Sequence, residues 1–230
     1  LDAAQRVLAQ RSDVRLAEST NRAELDAQIR RHAAGCDLVV IAGGDGSLNA
    51  AAPALLDTGL PLGVLPFGTA NDLARNLDIP ETPQAAAEVI ISGAWRTIDL
   101  GVANGRPFFN AAHIGLAVQA ASLLDASNKR ALGKLAYPLA LTRALVRMRP
   151  FRVWLGTAAG EKAMRSIAIG VGNGRFYGGG MVIEQAASID DGRLDLYSVA
   201  PAGLLQMLRL AVQLPRGAFG ALPQVHQGGG

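Results

Sequence analysis

Two glycine-bracketed acidic turns constrain this chain more than any other feature: Gly43-Gly44-Asp45-Gly46-Ser47 and, twenty-five residues on, Gly68-Thr69-Ala70-Asn71-Asp72. Each follows a short apolar run and opens a segment with helical character. An α/β chain builds a phosphate cradle in this way, because amides freed at a glycine turn and at a helix N-terminus point into one cleft. Nearby carboxylates can hold Mg²⁺ or a hydroxyl. Asp45 between glycines would be a costly bare carboxylate if nothing polar met it, and Ser47 and Asn49 add a hydroxyl and an amide at the helix entrance. Glycines that merely permit a tight connection explain the first turn less well. In the second turn, Thr69 or Asn71 can act as a cap, Asp72 complements the helix dipole, and Arg75 lies within ion-pair reach of it. Both the P-loop spacing and the Gly-x-Gly-x-x-Gly fingerprint are missing, which counts against a common NTPase and a Rossmann dehydrogenase.

The surrounding pattern predicts strand alternating with helix up to about residue 98. Residues 1–9 have helical spacing, Val14–Ala17 reads as a strand, and Asn21 with Glu24 resembles a capping box for a helix ending near His32. Asp37–Ala42 and Leu62–Pro66 are nearly continuous apolar runs, as in strands covered on both faces. Leu48–Leu56 reads as helix, another helix starts near Ala70, and a third runs from Thr82-Pro83 to Gly93. The expectation is a doubly wound, mostly parallel sheet. The rhythm then changes. Thr97–Ala103 and Pro107–Ala112 flank Asn104-Gly105, a two-residue hairpin signal. A helical block from about Val118 to Arg147 follows, then short strands near Phe151–Thr157, Ser166–Gly172 and Arg193–Val199. The second half is therefore expected to be mainly antiparallel β with a helical insertion, the boundary falling near Asp99–Gly101.

The 230 residues leave ample material for a core, and half of them are apolar. The single cysteine, Cys36, excludes an internal disulfide framework and fits a reducing cytoplasm. No apolar stretch reaches the ~18 residues of a membrane span. His32, His113 and His226 have no metal-site spacing; His113 reads as a packed residue, and Trp95 and Trp154 as ordinary core or edge aromatics. The start at Leu1 and the end at Gln227-Gly228-Gly229-Gly230 suggest a piece truncated at both ends. Net charge is only +3, yet Lys129, Arg130, Lys134, Arg143, Arg147, Arg149, Arg152, Lys162 and Arg165 face one acid, Glu161, in a single stretch. Such a stretch attracts phosphates. With Leu139, Leu141, Leu145 and Val146 interleaved it suits anionic headgroups, although a solvated helix face is an equal alternative. Nucleic acid ranks lower, since no stacking aromatics interleave with the charges.

Together, Gly43–Asn49 and Pro61–Arg75 resemble the catalytic domain of diacylglycerol kinases, within the bacterial lipid-kinase branch that includes sphingosine-kinase-like proteins. Ile98–Gly101, Phe109–Leu116, Gly133–Tyr137, Val171–Gly174, Gly178–Met181 and Asp190–Asp195 extend the resemblance over about residues 14–200. It implies a nucleotide-binding α/β domain over 1–99, lacking its N-terminal strand, and a β-rich lipid-kinase domain over 100–230. It also implies an ATP-dependent kinase phosphorylating a lipid hydroxyl, with diacylglycerol converted to phosphatidic acid. A sphingoid base or NAD as acceptor, or a catalytically dead nucleotide- or lipid-binding regulator, stay open.

On this resemblance nucleotide lies in the cleft between the domains, over Gly43, Gly44, Asp45, Gly46, Ser47, Gly68, Thr69 and Asn71. Asp45, Asp72 and Asp99 form the acidic network near the phosphates and catalytic Mg²⁺. Asp191, with carbonyls near Ser188 and Arg193, holds a second, structural Mg²⁺. The expected partners are a lipid substrate, an anionic membrane surface contacted peripherally from the cytoplasm and, as an assembly, a homodimer; nucleic acid is not expected. Three departures stand out. Ser47 replaces the usual threonine, Ala50 the usual glutamate, and the family's Asn-Pro strand and Asp-Gly-Glu segment, with its proposed general base, are missing. On the truncated reading, this chain alone should be inactive or nearly so.

Overall fold

The computed structural model describes residues 1–115, 118, 149–157, 160–176, 182, 184–201 and 225–229. The chain divides into two units. The first comprises Leu1–Asn110, Asn173–Gly180 and Ala187–Gly192; the second comprises Ala111–Gly172, Met181–Ala186 and Arg193–Gly230.

In the first unit β1 (Val39–Gly43) and β2 (Leu62–Pro66) pair in parallel, Val39 opposite Leu62 and Gly43 opposite Pro66. Helices pack on both faces of this sheet, yet Val40 is half-buried and Ala42 exposed, short of the full cover expected of such apolar runs. On one face lie α2 (Arg22–His32) and α3 (Asp45–Thr58), burying Ile29, Ile41, Leu48 and Val64 with Leu73 and Phe109. On the other, α1 (Asp2–Leu8) and α5 (Pro83–Ser92) bury Ala4, Val7, Ala86 and Ala87 around Leu65. Gly63 lets α5 come close: a Cβ there would sit 3.0 Å from Ile90. The short α4 (Asp72–Asn76) follows β2.

Local signals explain most element ends. Asn21 Oδ1 accepts from the Glu24 amide (3.0 Å), and the Glu24 carboxylate takes both the Thr20 amide (2.7 Å) and the Thr20 hydroxyl (2.8 Å). The return bond of the capping box thus lands one residue early. These bonds, the backbone one foremost, hold the Glu24 carboxyl below its ordinary pKa. Gly59 and Gly93 close α3 and α5 in the left-handed conformation.

Four local expectations are corrected. Val14–Ala17 is not a strand: a groove of about 440 Å³, walled by Val14 and Leu16 on one side and Leu38, Val40 and Ala42 on the other, keeps it from a backbone partner. Thr82 makes no side-chain cap, leaving Pro83 at the first position to set the start of α5. α3 begins at Asp45, three residues before Leu48. The run Pro107–Ala112 is broken: β3 (Gly101–Ala103) and β4 (Arg106–Phe108) form the hairpin around Asn104 (φ 50°) and Gly105 (φ 75°), whereas β5 starts at Ala111. Phe109 and Asn110 leave the ladder because they bond elsewhere, as described below.

The second unit holds an antiparallel sheet in the order β10-β9-β8-β5, built from β5 (Ala111–Gly115), β8 (Ala168–Gly172), β9 (Asp195–Val199) and β10 (Val225–Gly229). A separate hairpin pairs β6 (Phe151–Thr157) with β7 (Gly160–Ser166). The parallel first half and antiparallel second half agree with the expected fold class. Tyr197 stands opposite Gly170 and His113 opposite Gly170 on the other side. The Tyr197 ring covers the space a Cβ would take, and its hydroxyl lies 3.4 Å from His113 Nδ1. Ser166 is fully buried, its one hydroxyl hydrogen shared between the carbonyls of Ala168 (2.7 Å) and Val199 (3.0 Å). The helical block expected from Val118 to Arg147 lies, apart from Val118, outside the described residues. Trp95 and Trp154 are not core residues; they are about two-thirds exposed.

Candidate phosphate cradle and its acidic surroundings

The first glycine turn joins β1 to α3. Gly44 is the N-cap residue in extended conformation, and no side chain caps the helix. Ser47 lies over Gly43, where a Cβ would come within 2.8 Å of its side chain. The Asp45 carboxylate is tied down from two directions: Oδ1 accepts from the Leu73 amide at 3.0 Å and from Asn110 Nδ2 at 2.8 Å. Asn49, one turn into α3, fixes the same region by accepting from the Phe109 amide (2.8 Å).

The second turn is braced from within. Asn71, in the left-handed region (φ 52°), accepts from the Gly68 amide at 2.8 Å and donates to the Gly68 carbonyl at 3.0 Å. It does not cap α4 with its side chain. Thr69 is exposed beside it, and Asp72 is buried at the start of α4. Arg75 takes Glu81 (3.2 Å) and the Ala70 carbonyl (3.0 Å) as partners, so the expected Arg75–Asp72 pair gives way to a longer-range one.

The two turns touch. A Cβ on Gly44 would sit 2.9 Å from Gly68 Cα, and one on Gly68 would sit 2.6 Å from Gly44 Cα. Backbone against backbone at this distance admits only glycine at both positions. A cleft of about 330 Å³ adjoins Gly44, Gly46 and Ser47 on the side of Thr20, Asn21 and Arg22.

Asp99 is held at a different turn. Its Oδ2 accepts from the Gly192 amide (2.6 Å), its amide donates to the Ile189 carbonyl (2.8 Å), and its carbonyl accepts from Asn173 Nδ2 (2.8 Å). Asp191 accepts from the Ser188 amide (3.0 Å) within that turn. Asp190 bonds the Ser188 hydroxyl and Arg96 (2.8 Å), and these two, the hydroxyl first, lower its pKa. Ser188 and Asp191 belong to the first unit, Arg193 to the second. Asp45 and Asp72 are thus linked through Leu73, while Asp99 joins the Asp190–Gly192 turn. Among the described residues no three carboxylate, imidazole or thiol groups are gathered to hold a metal.

Three asparagines organise the site beyond what spacing reveals. Asn173, fully buried, donates from Nδ2 to the carbonyls of Asp99 and Phe109 (both 2.8 Å), and its amide donates to the Asn110 carbonyl (2.7 Å). Asn76 accepts from the Arg175 and Phe176 amides (2.9 and 3.0 Å). Asn110 and Asn173 lie in segments that carry the family resemblance, but their partners are 64 to 74 residues away, so only the folded chain shows their roles.

Comparison with known proteins assigns a class to this arrangement. Residues 1–103 match the diacylglycerol kinase catalytic domain, and residues 110–230 match the YegS C-terminal NAD kinase beta sandwich-like domain. The chain belongs to the diacylglycerol kinase and YegS-like lipid kinase family. A diacylglycerol kinase of Mycobacterium tuberculosis is 34% identical over 215 residues, covering 87% of this chain and 69% of the relative. A Chromohalobacter salexigens protein named Probable lipid kinase YegS-like is 35% identical over 170 residues, 72% of this chain and 55% of its own. A crystal structure of a diacylglycerol kinase from Bacillus anthracis shares the fold with TM-score 0.70 at 24% identity, over 94% of this chain and 72% of that one. The chain therefore spans between about half and seven-tenths of the length of these relatives. Among the described residues no helix is long and apolar enough to cross a membrane.

Proposed function

We propose that the protein carrying this chain is an ATP-dependent lipid kinase that moves the γ-phosphate to a lipid hydroxyl, with diacylglycerol as acceptor. The observation that carries this reading is the contact of Gly44 with Gly68 beside the uncapped N-terminus of α3. A side chain at either glycine would fill the cradle, and the first amides of α3 supply donors for phosphate oxygens. Phosphoryl transfer needs positioned reactants and neutralised charge more than covalent assistance, and fixed amides provide that neutralisation without reorganising.

Asp45 and Asp72 would hold the catalytic Mg²⁺, which when bound supplies further positive charge to the phosphates. Magnesium keeps several waters and takes only one or two carboxylates, so a site without three gathered ligands fits it. At the other turn Asp99 accepts from the Gly192 amide and Asp191 from the Ser188 amide. Two carboxylates held at one turn support the second Mg²⁺ at Asp191, with the carbonyl near Ser188. The general base is not assigned to any residue described here.

Peripheral membrane contact belongs to the same proposal. On the hairpin β6–β7, Arg152 stands directly opposite Arg165, and Trp154 beside them is exposed. Opposed like charges cost stability in a ladder, and an anionic lipid surface would relieve them. Cosedimentation with anionic vesicles should weaken sharply with added salt, and salt-insensitive association would contradict this part.

The deciding experiment is an assay of the whole gene product for γ-phosphate transfer to dispersed diacylglycerol, sphingosine and NAD. Transfer to diacylglycerol is expected. Transfer only to another acceptor moves the substrate assignment, and nucleotide binding without transfer to any of them makes the protein a regulator.

A further inference from the structure

We infer that Asn110 is a positioning residue for phosphoryl transfer, orienting the Asp45 carboxylate, and that Asn173 locks Asn110 in place. The inference rests on the kinase reading for its catalytic consequence but on geometry alone for the linkage.

Asn110 is 95% buried by its 5% exposure and spends one amide hydrogen on Asp45 Oδ1 at 2.8 Å. That oxygen also takes the Leu73 amide, so the carboxylate is gripped from α4 and from the segment before β5. Two donors converging on one oxygen fix its rotation and leave the second oxygen to face whatever binds at the turn. Asn110 is itself immobilised: its carbonyl accepts from the Asn173 amide (2.7 Å), while Asn173 Nδ2 bridges the carbonyls of Phe109 and Asp99. The two asparagines therefore connect the backbone that carries Asp99 to the side chain of Asp45.

A second observation separates this pair from ordinary packing. Oδ1 of Asn110 and Oδ1 of Asn173 are both buried without a hydrogen-bond partner among the described residues. An unpaired buried acceptor loses its hydration with no bond in return, so the arrangement is not optimised for stability alone. Each oxygen suits an O–H or N–H donor from beyond the described residues, such as water or a ligand hydroxyl.

Asn110→Asp and Asn110→Ala test the inference in the whole gene product. Asn110→Ala should reduce kcat about 10- to 100-fold, the usual range for a residue supporting a functional ligand, with KM for ATP little changed. Asn110→Asp replaces the donor with a carboxylate facing Asp45, the acid on its side, while Asp72 adjoins Leu73 and Asp99 lies beyond Asn173. Like charges would then face each other, so Asn110→Asp should lower kcat at least as far as Asn110→Ala. Wild-type kcat in either variant, or a loss confined to KM, would overturn the positioning role.

A readout independent of activity is the Leu73 amide proton in NMR spectra, which senses the Asp45 carboxylate. It should shift in both variants while amides of α5 stay in place. An unmoved Leu73 amide overturns the linkage even if activity is lost. If the wild-type protein phosphorylates no acceptor, the kinase reading fails, and the Leu73 amide still decides whether Asn110 holds Asp45.

Discussion

The two glycine turns each carry an aspartate and are held in different ways. The first is held from outside: its acid is fixed by Leu73 and Asn110, its helix start has no side-chain cap, and Asn49 reaches away to Phe109. The second is held from inside, by one asparagine that both donates to and accepts from Gly68 in a left-handed conformation. The difference teaches a division of labour. A turn that closes on itself is a rigid brace, whereas a turn whose helix amides are uncapped can offer them to an anion.

The largest effect expected from this comparison is on the first turn's acid. Asp45→Ala in the whole gene product should lower kcat by about 10²–10³-fold, comparable with removing a preorganised charge-stabilising group, with the fold retained in circular dichroism. Wild-type turnover in that variant would erase the functional distinction between the turns.

Next come the touching glycines. Gly68→Ala places a methyl 2.6 Å from both Gly44 Cα and Asn71 Oδ1, whereas Gly44→Ala is tight against Gly68 Cα at 2.9 Å, with Gly68 N at an ordinary 3.6 Å. Overpacking of this kind costs about 1–3 kcal/mol, and Gly68→Ala should be the worse of the two in urea unfolding. Gly44→Ala should instead weaken nucleotide binding more than it weakens the fold. Equal effects on both properties would remove the distinction between brace and cradle.

A smaller effect tests the brace itself. Asn71→Ala loses both bonds to Gly68 and places alanine in the left-handed region, a strain of about 1–2 kcal/mol. Asn71→Gly loses the bonds without that strain, so it should be the milder substitution in thermal melts; the reverse order would contradict the conformational argument.

The smallest effect is a control far from either turn in sequence. Glu24 has its pKa lowered by its bonds to Thr20, so its contribution to stability is present above the ordinary glutamate pKa. It disappears as pH falls through the lowered folded value. Glu24→Gln should therefore flatten the acid side of the stability profile slightly and leave neutral-pH activity unchanged.

Much of this was legible in the sequence because it is local. The apolar runs of β1 and β2, the Asn104-Gly105 hairpin and the closing Gly93 each depend on a few adjacent residues. The two turns and their acids were visible for the same reason. What escaped were features set by distant partners. Val14–Ala17 has strand composition, yet it pairs with no strand among the described residues. Arg75 chose Glu81 over the nearer Asp72. The Asn110–Asp45 bond spans 65 positions, and no local spacing rule encodes it. For Trp154, spacing left core and edge open, and its exposure on the two-stranded β6–β7 hairpin decides for the edge.

The most direct measurement of the central claim follows backbone amides by NMR as Mg²⁺ and ATP are titrated together into the protein. The account predicts saturable shifts of Gly44, Gly46 and Gly68, with Gly59 at the opposite end of α3 unmoved. Saturating nucleotide that leaves those three amides where they were, or that perturbs only residues of the Val14–β1 groove, would contradict it.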